Sequence, residues 1–390
     1  MKQTLVSIVR GDDVQKQVTE AIRLIGGMEH FVKPGMSVLL KPNLTGPALY
    51  HTGVTTNPAV VEALVILLKE AGVTDITIGD GTGSIHIGTL KILEDCGFGD
   101  IARRYNTKLL DLNKGEVVNL PVAKPYILEK IKVTAACLDF DAIINIPVLK
   151  THFITEVSLG MKNLKGCIPP SEMRLMHEVG VNKAVADLST VLRTTLTVVD
   201  GTVASEGLGP KEGTPVGFKT VLAGEDILAV DAVSAHIMGF DPQKIEHFRL
   251  AYQRGVGVLD LSDITVVGEK PADVRREFLP AIPTIPDSDS VSIINGSACS
   301  GCIGCAVISI SRLEDSGLLD RLKEKGIKLS LAIGSQLRKQ KKWQGNTFVV
   351  GNCAKAYQNK GEFLPGCAPA AIDVAEMVLS YYDIKERPQV

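Results

Sequence analysis

An α/β fold, with a large mainly parallel open sheet flanked by helices and a smaller C-terminal cysteine-rich α/β domain, is the architecture this sequence predicts. Three observations predict it. Short β-branched runs alternate with segments of helical period over the first three quarters, the signature of repeated βαβ units. The strand candidates end in charged or amide residues beside glycine or proline. Four prolines between residues 271 and 286 then separate this region from a final quarter that holds five of the eight cysteines. The expected division is residues 1–270, a linker at 271–289 and a C-terminal domain at 290–390.

Taken in order, residues 37–40 read as a strand that runs into Lys41-Pro-Asn43-Leu-Thr45-Gly46. Thr55-Thr-Asn-Pro58 is a helix start with proline at an early helical position, and residues 60–71 follow as an amphipathic helix closed by Gly72. Residues 75–78 form the next strand, ending in Gly79-Asp80-Gly81-Thr-Gly83, and residues 90–96 a helical stretch. The region from 108 to 133 is less regular and partly strand-like. Residues 141–146 are a buried-strand candidate leading to a loop at Pro147-Val-Leu-Lys150-Thr-His152, and 182–192 is helical. Residues 196–199 read as a strand followed by a glycine-rich loop, Glu206-Gly-Leu-Gly-Pro210. Residues 220–223 and 264–267 are further strands around an apolar helix at 227–238. Beyond the linker, strands are expected at 290–294, 329–333 and 348–350, with helices at 306–312 and 370–382. The basic run at 338–342 reads as a solvated surface.

Composition excludes several classes. Hydrophobic residues make up 45% and charged residues 22%, as in ordinary globular domains, and the net charge of -2 offers no electrostatic footprint for nucleic acid or a membrane surface. The N-terminal MKQTLVSIVRGDD reaches charge before a signal-peptide core could form, and no apolar run is long enough to span a bilayer. The expected compartment is therefore the cytoplasm. The glycine-rich loops match neither the dinucleotide fingerprint nor the P-loop ending, so nucleotide binding is not expected.

Cys299-Ser-Gly-Cys302-Ile-Gly-Cys305 is the one stretch whose residue types and spacing together demand a chemical explanation. Thiolates at every third residue on a glycine-punctuated loop converge on a soft metal centre, and the spacing matches ferredoxin-like runs. A [4Fe–4S] cluster is the favoured cofactor over Zn2+, because structural zinc usually uses paired CxxC arms. Either Cys353 or Cys367 would supply the fourth ligand. Cys96 and Cys137 read as small buried hydrophobes, whereas Cys167 lies beside Lys162 and Lys165, cations that favour a thiolate.

A second site is expected at the carboxyl ends of the strands, where loops of a parallel sheet converge. Lys41, Asn43, Asp80, Asn163 and Asp200 are its candidate substrate-binding residues. Lys150, His152, Lys162 and His177 are its candidate catalytic residues. Together they suit a small anionic substrate carrying carboxylate or phosphate, with a histidine for proton transfer. Lysines in loops also commonly face solvent, and it is their recurrence after several strands that favours a site.

Leu40-Lys-Pro-Asn-Leu44, Thr55-Thr-Asn-Pro58, Gly79-Asp80, Leu149-Lys-Thr-His152, Met161-Lys-Asn-Leu164, Val199-Asp-Gly201, Glu206-Gly-Leu-Gly-Pro210 and Ala229-Val-Asp231 together resemble the domain-of-unknown-function family numbered 362, over most of residues 1–268. Members are often described as uncharacterised iron–sulfur centre proteins, and many carry paired CxxCxxC runs where this chain has one. Pro365-Gly-Cys-Ala-Pro369 also resembles the Gly-Cys-Pro-Pro turn near clusters in small subunits of hydrogenases and respiratory complexes, with Ala368 in place of a proline. The resemblance implies the fold and a cluster, without an agreed reaction. The expected function is thus an iron–sulfur oxidoreductase acting on a small anionic substrate and exchanging electrons with an external donor or acceptor protein. The alternatives are a structural zinc–thiolate protein and a cluster carrier.

Overall fold

The computed structural model describes residues 3–83, 88–281, 290–339, 343 and 346–382. Contacts divide the chain into two units, Met1–Met176 with Gly180–Ala281, and His177–Val179 with Ile282–Val390. Among the described residues, the first holds thirteen strands: β1 (Thr4–Arg10), β2 (Ser37–Lys41), β3 (Asp75–Asp80), β4 (Lys108–Asp111), β5 (Val117–Pro121), β6 (Lys130–Thr134), β7 (Ala142–Asn145), β8 (Val148–His152), β9 (Glu156–Val157), β10 (Leu196–Leu208), β11 (Glu212–Val216), β12 (Thr220–Gly224) and β13 (Ile264–Gly268). The main sheet runs β13-β1-β12-β10-β7-β2-β3-β4, with β8 and β11 pairing with β10 and β9 pairing with β8. The block β7-β2-β3-β4 is parallel throughout, and β12 is antiparallel to both neighbours.

Period-two alternation divides each strand between two buried faces. Val38, Leu40, Ile76, Ile78, Ala142, Ile144, Leu196 and Val198 share one core with the apolar faces of helices Val14–Leu24 and Pro58–Glu70. Intervening residues such as Leu39 and Val199 are also buried, and Ile227–Ile237, a helix apolar nearly all round, packs on β10 and β12. Pro58–Glu70 starts where the sequence predicts, with Asn57 as N-cap accepting from the Ala59 N–H at 3.0 Å and Pro58 in the first turn.

Several local expectations are corrected. β1 and helix Val14–Leu24 had no assigned element. Lys150, Thr151 and His152 lie in β8 rather than in a loop; Pro147 interrupts the run after β7, and the chain then resumes pairing with β10 after a register shift. Glu206 to Leu208 finish β10 and form a hairpin with β11, because Gly207 at φ +78° absorbs the backbone demand. Helix Pro170–Val179 was also not anticipated. Inside the stretch read as a linker, Pro271–Val274 is a short helix, and the Arg276 and Phe278 N–H groups donate to Ile237 and Met238 carbonyls. Residues 282–289 of that stretch, and 340–342 of the basic run, lie outside the described residues.

The second unit carries a parallel sheet β14-β15-β16-β17, formed by Val291–Gly296, Leu329–Gly334, Asn346–Val350 and Glu362–Leu364. Helices Ser300–Asp315 and Ala371–Tyr381 pack on each other, with Ser309 Oγ donating to the Cys305 and Ala371 carbonyls at 2.6 and 3.0 Å. The cysteine run is therefore helical from Ser300 onward, with Cys299 as N-cap, instead of a loop preceding a helix at 306.

In the first unit, the buried Asp187 carboxylate accepts from the backbone N–H groups of Tyr126, Ile127 and Leu128 at 2.9, 2.9 and 3.0 Å. Asp187→Ala would leave three donors without their charged acceptor. A loss of about 3 kcal/mol in urea-unfolding free energy is expected, and a loss below about 0.5 kcal/mol would show that water replaces the carboxylate.

Candidate functional site

Three adjacent parallel strands bring their carboxyl ends together: Lys41 closes β2, Asp80 closes β3 and Asn145 closes β7, with Lys41 directly opposite Asn145 in register. Lys41 Nζ donates to Asp80 Oδ1 at 2.7 Å and to the Pro42 carbonyl at 3.1 Å, and both side chains are buried. Asp80 Oδ2 accepts from the Leu44 N–H at 2.7 Å, which pulls the loop after β2 onto β3. Burial raises the Asp80 pKa, and Lys41 with the Leu44 and Gly81 N–H groups opposes that rise. Gly166 lies against this pair: a Cβ there would come 1.9 Å from Asp80 Oδ1 and 2.7 Å from Lys41 Nζ.

An amide and ammonium chain continues from it. Asn163 Nδ2 donates to Asn145 Oδ1 at 2.8 Å, and Asn163 Oδ1 accepts from Asn43 Nδ2 at 3.0 Å. Asn43 Oδ1 in turn accepts from Lys150 Nζ at 2.6 Å. Lys150 also donates to Thr45 Oγ1 at 2.9 Å and to the Val54 carbonyl at 2.7 Å. Burial, then the Lys211 charge, pulls the Lys150 pKa down to about 7. All three of its N–H donors nevertheless meet acceptors, and that arrangement holds the ammonium form. Lys150 is thus a fixed interior charge with no lone pair offered to a substrate.

Lys162 differs. It lies on the short helix Leu159–Asn163, only partly covered, with no hydrogen-bond or ion-pair partner among the described residues. Burial, then the neighbouring charges of Lys165 and Lys150, lowers its pKa well below that of a free lysine, and burial takes Lys165 down to about 8. The helix is fixed by Asp231, whose two carboxylate oxygens accept from the Gly160 and Met161 N–H groups at 2.7 and 2.8 Å; burial still pushes its pKa up to about 7.

The remaining candidates separate from this cluster. Asp200 is buried within β10 and accepts from the Asn57 N–H at 2.7 Å and from Thr202, so it anchors the start of Pro58–Glu70. His152 is buried in β8, stacked on Phe153, with Nδ1 accepting from the Ile154 N–H at 3.0 Å. His177 belongs with the second unit, its Nδ1 3.3 Å from Ser300 Oγ. Cys96 and Cys137 are buried as expected; burial raises Cys96 to about 11, and the Cys167 thiol first, then burial, raises Cys137. Lys165 was legible as a second cation one helical turn beyond Lys162. His247 carried no sequence signal: it is fully buried with neither ring nitrogen bonded, and burial followed by the Lys162 charge lowers its pKa to about 3.

In the second unit, Cys299 is half-buried, Cys302 and Cys305 are buried, Cys367 is half-buried and Cys353 is exposed. The neighbouring Cys302 thiol, with the Cys302 and Gly301 N–H groups at the helix start, lowers the Cys299 thiol to about 6. The Cys302 thiol is raised by Cys299 and burial, and by the charges of Cys305 and Cys367. Burial raises Cys305 to about 12. A Cβ on Gly351 would come 3.2 Å from Cys302 Sγ, so glycine leaves that sulfur room. Among the described residues, no group of three or more His, Cys, Asp or Glu is placed to hold a metal ion.

A family model described as "Domain of unknown function (DUF362)" matches residues 38–236. The "Thylakoid-associated protein sll1697" of Synechocystis sp. is 30% identical over 228 residues, covering 57% of this chain and 68% of that protein. Among solved structures, the lactate racemase apoprotein of Thermoanaerobacterium thermosaccharolyticum aligns over 97% of this chain and 90% of its own, at 11% identity and a TM-score of 0.42. A Thermotoga maritima protein aligns over 64% of this chain and 59% of its own, at 16% identity and a TM-score of 0.35. Among the described residues, no helix is long and apolar enough to cross a membrane.

Two outcomes are expected from the first unit. Lys150→Met should lower unfolding free energy by about 3 kcal/mol, since three acceptors lose their donor; an unchanged urea midpoint would show the bonds contribute nothing net. For His247, the unfolded chain takes up a proton below about pH 6.5, whereas the folded chain resists until about 3. Stability should therefore fall as pH drops through that window, by at most about 1.4 kcal/mol per pH unit from this group. His247→Gln should flatten the acid limb, and parallel limbs in the two proteins would exclude the buried neutral imidazole.

Proposed function

Because the chain belongs to the DUF362 family, we propose that it is an iron–sulfur oxidoreductase whose second unit holds one [4Fe–4S] cluster and whose first unit binds a small anionic substrate. The observation that carries the cluster reading is the surroundings of Cys302: its thiol feels Cys299, Cys305 and Cys367, whereas Cys353 is exposed and absent from that set. The donor set fits such a cluster in kind, with four thiols from two segments and a glycine beside the central sulfur. Cys299, Cys302, Cys305 and Cys367 would hold it. Bound there, a cluster supplies one-electron transfer with an external carrier protein.

The chain's own residues account for the substrate half. Lys41 and Asp80 fix the strand ends, Lys150 and the Asn43–Asn163–Asn145 chain brace the loop above them, and Lys162 presents a cation with no partner among the described residues. Desolvation makes an anion beside Lys162 more favourable than in water, because the ammonium has already lost hydration.

Anaerobic purification tests the cluster. About four irons and four acid-labile sulfides per chain are expected, with Cys367→Ser losing most of both and Cys353→Ser retaining them. Stoichiometric zinc without sulfide would overturn the reading. The reverse behaviour of the two variants would overturn the ligand assignment.

A further inference from the structure

We infer that a cavity at the carboxyl-terminal end of helix Ile227–Ile237 binds a small organic ammonium ion with an apolar body, independently of the anion site and the cysteines. The cavity measures about 490 Å3, a size in the range of small-molecule sites. Its lining comes from the helix end at His236, the turn that follows it, and Asp260, Leu261 and Arg275, all within the first unit. Gly239, at φ +94°, turns the chain out of the helix, and a Cβ there would come 2.3 Å from Glu277 Oε2.

Arg275 walls this cavity without offering a donor. Its Nη1 donates to the His236 carbonyl at 3.0 Å and to His236 Nδ1 at 3.2 Å. Its Nε and Nη2 donate to Glu277 Oε1 at 3.1 and 2.8 Å, and Nη2 also reaches the Gly239 carbonyl at 3.5 Å. All five N–H groups of the guanidinium are thereby committed, and its charge is paired with Glu277. An entering anion meets no free N–H there. Because arginine only donates, His236 Nδ1 accepts, and the ring is neutral with its proton on Nε2.

The two carboxylates of the lining keep capacity that Arg275 lacks. Asp260 Oδ1 accepts from the Ser262 N–H and hydroxyl at 2.9 and 2.8 Å, while Oδ2 has no hydrogen-bond partner among the described residues. Asp241 Oδ1 accepts from the Gln243 N–H at 3.0 Å, and Oδ2 faces the Lys244 ammonium at 3.6 Å, on a lysine that is 81% exposed. Such an exposed pair leaves most of the carboxylate's demand to be met by others. The charge left over is therefore negative. Among the described residues no group of three or more His, Cys, Asp or Glu is placed to hold a metal ion, so these carboxylates do not converge on a bare cation. An ammonium, whose N–H donors diverge, needs no such convergence. Phe240, Pro242 and Leu261 supply apolar lining for the rest of the ligand.

Calorimetric titration of the full-length protein with benzylamine, benzyl alcohol and benzoate, at matched ionic strength, tests the inference with three bodies of one shape. Benzylamine should bind about fivefold more tightly than benzyl alcohol, the scale of a partly exposed ion pair, and benzoate should bind least. Asp260→Asn should weaken benzylamine by about fivefold and leave benzyl alcohol unchanged. Asp241→Asn should act in the same direction. The melting temperatures of both variants should stay near that of the parent, because asparagine keeps the oxygen that accepts from Ser262 or Gln243. Equal affinity for the amine and the alcohol, or tighter binding of benzoate, would overturn the ammonium preference. Absence of binding by all three compounds would overturn the site. Undiminished benzylamine affinity in both variants would overturn its placement in this cavity.

Discussion

The buried Lys41–Asp80 ion pair is the constraint on which the site of the first unit depends. It joins the last residues of two neighbouring parallel strands at 2.7 Å, in a place where neither partner reaches water. Removing a single member of such a pair strands a charge, at a typical cost of about 3–5 kcal/mol. The pair needs close covering, and Gly166 provides it, since any side chain there would collide with both groups. One interaction therefore dictates the strand ends, the loop after β2 through the Leu44 N–H, and the turn after the Lys162 helix.

Around that pair the lysines divide by what they touch. Lys41 donates to Asp80 and Pro42 and Lys150 to three acceptors, and both act as internal struts, whereas Lys162 has no hydrogen-bond or ion-pair partner among the described residues. The difference is positional. The first two rise from strands, where neighbouring loops supply carbonyls and amides, while Lys162 sits on a short helix whose own backbone is already committed to Asp231. A partly covered lysine with no partner among the described residues and a lowered pKa is a functional-site candidate. Asp200 and His152, more deeply buried than Lys162, are bonded by nearby backbone and so belong to the scaffold.

Much of the architecture was legible before any coordinates, for an identifiable reason. Strands buried on both faces, such as β2 and β7, need continuous apolar runs, and helices such as Pro58–Glu70 need caps and punctuation; both requirements are written in adjacent residues. The errors fall where the local signal is shared by two structures. β8 follows a proline and ends in polar residues, so it reads as a loop until β10 offers it a partner. The end of β10 is rich in glycine and still pairs, because β11 folds back upon it. The cysteine run reads as a loop because glycine and serine suit either state, and packing against Ala371–Tyr381 selects the helix.

The amino-acid sequence alone determined the α/β class, the family resemblance and the residue types available for chemistry: the CxxCxxC run, and the lysines and amides gathered around strand ends. Each of these is a matter of local pattern. Only the tertiary structure decided which lysines are satisfied, that Cys353 is exposed while Cys367 is half-buried, and that His247 is fully buried. Those properties depend on what residues distant in sequence place beside a given atom, and hydrogen bonding and desolvation act on that neighbourhood.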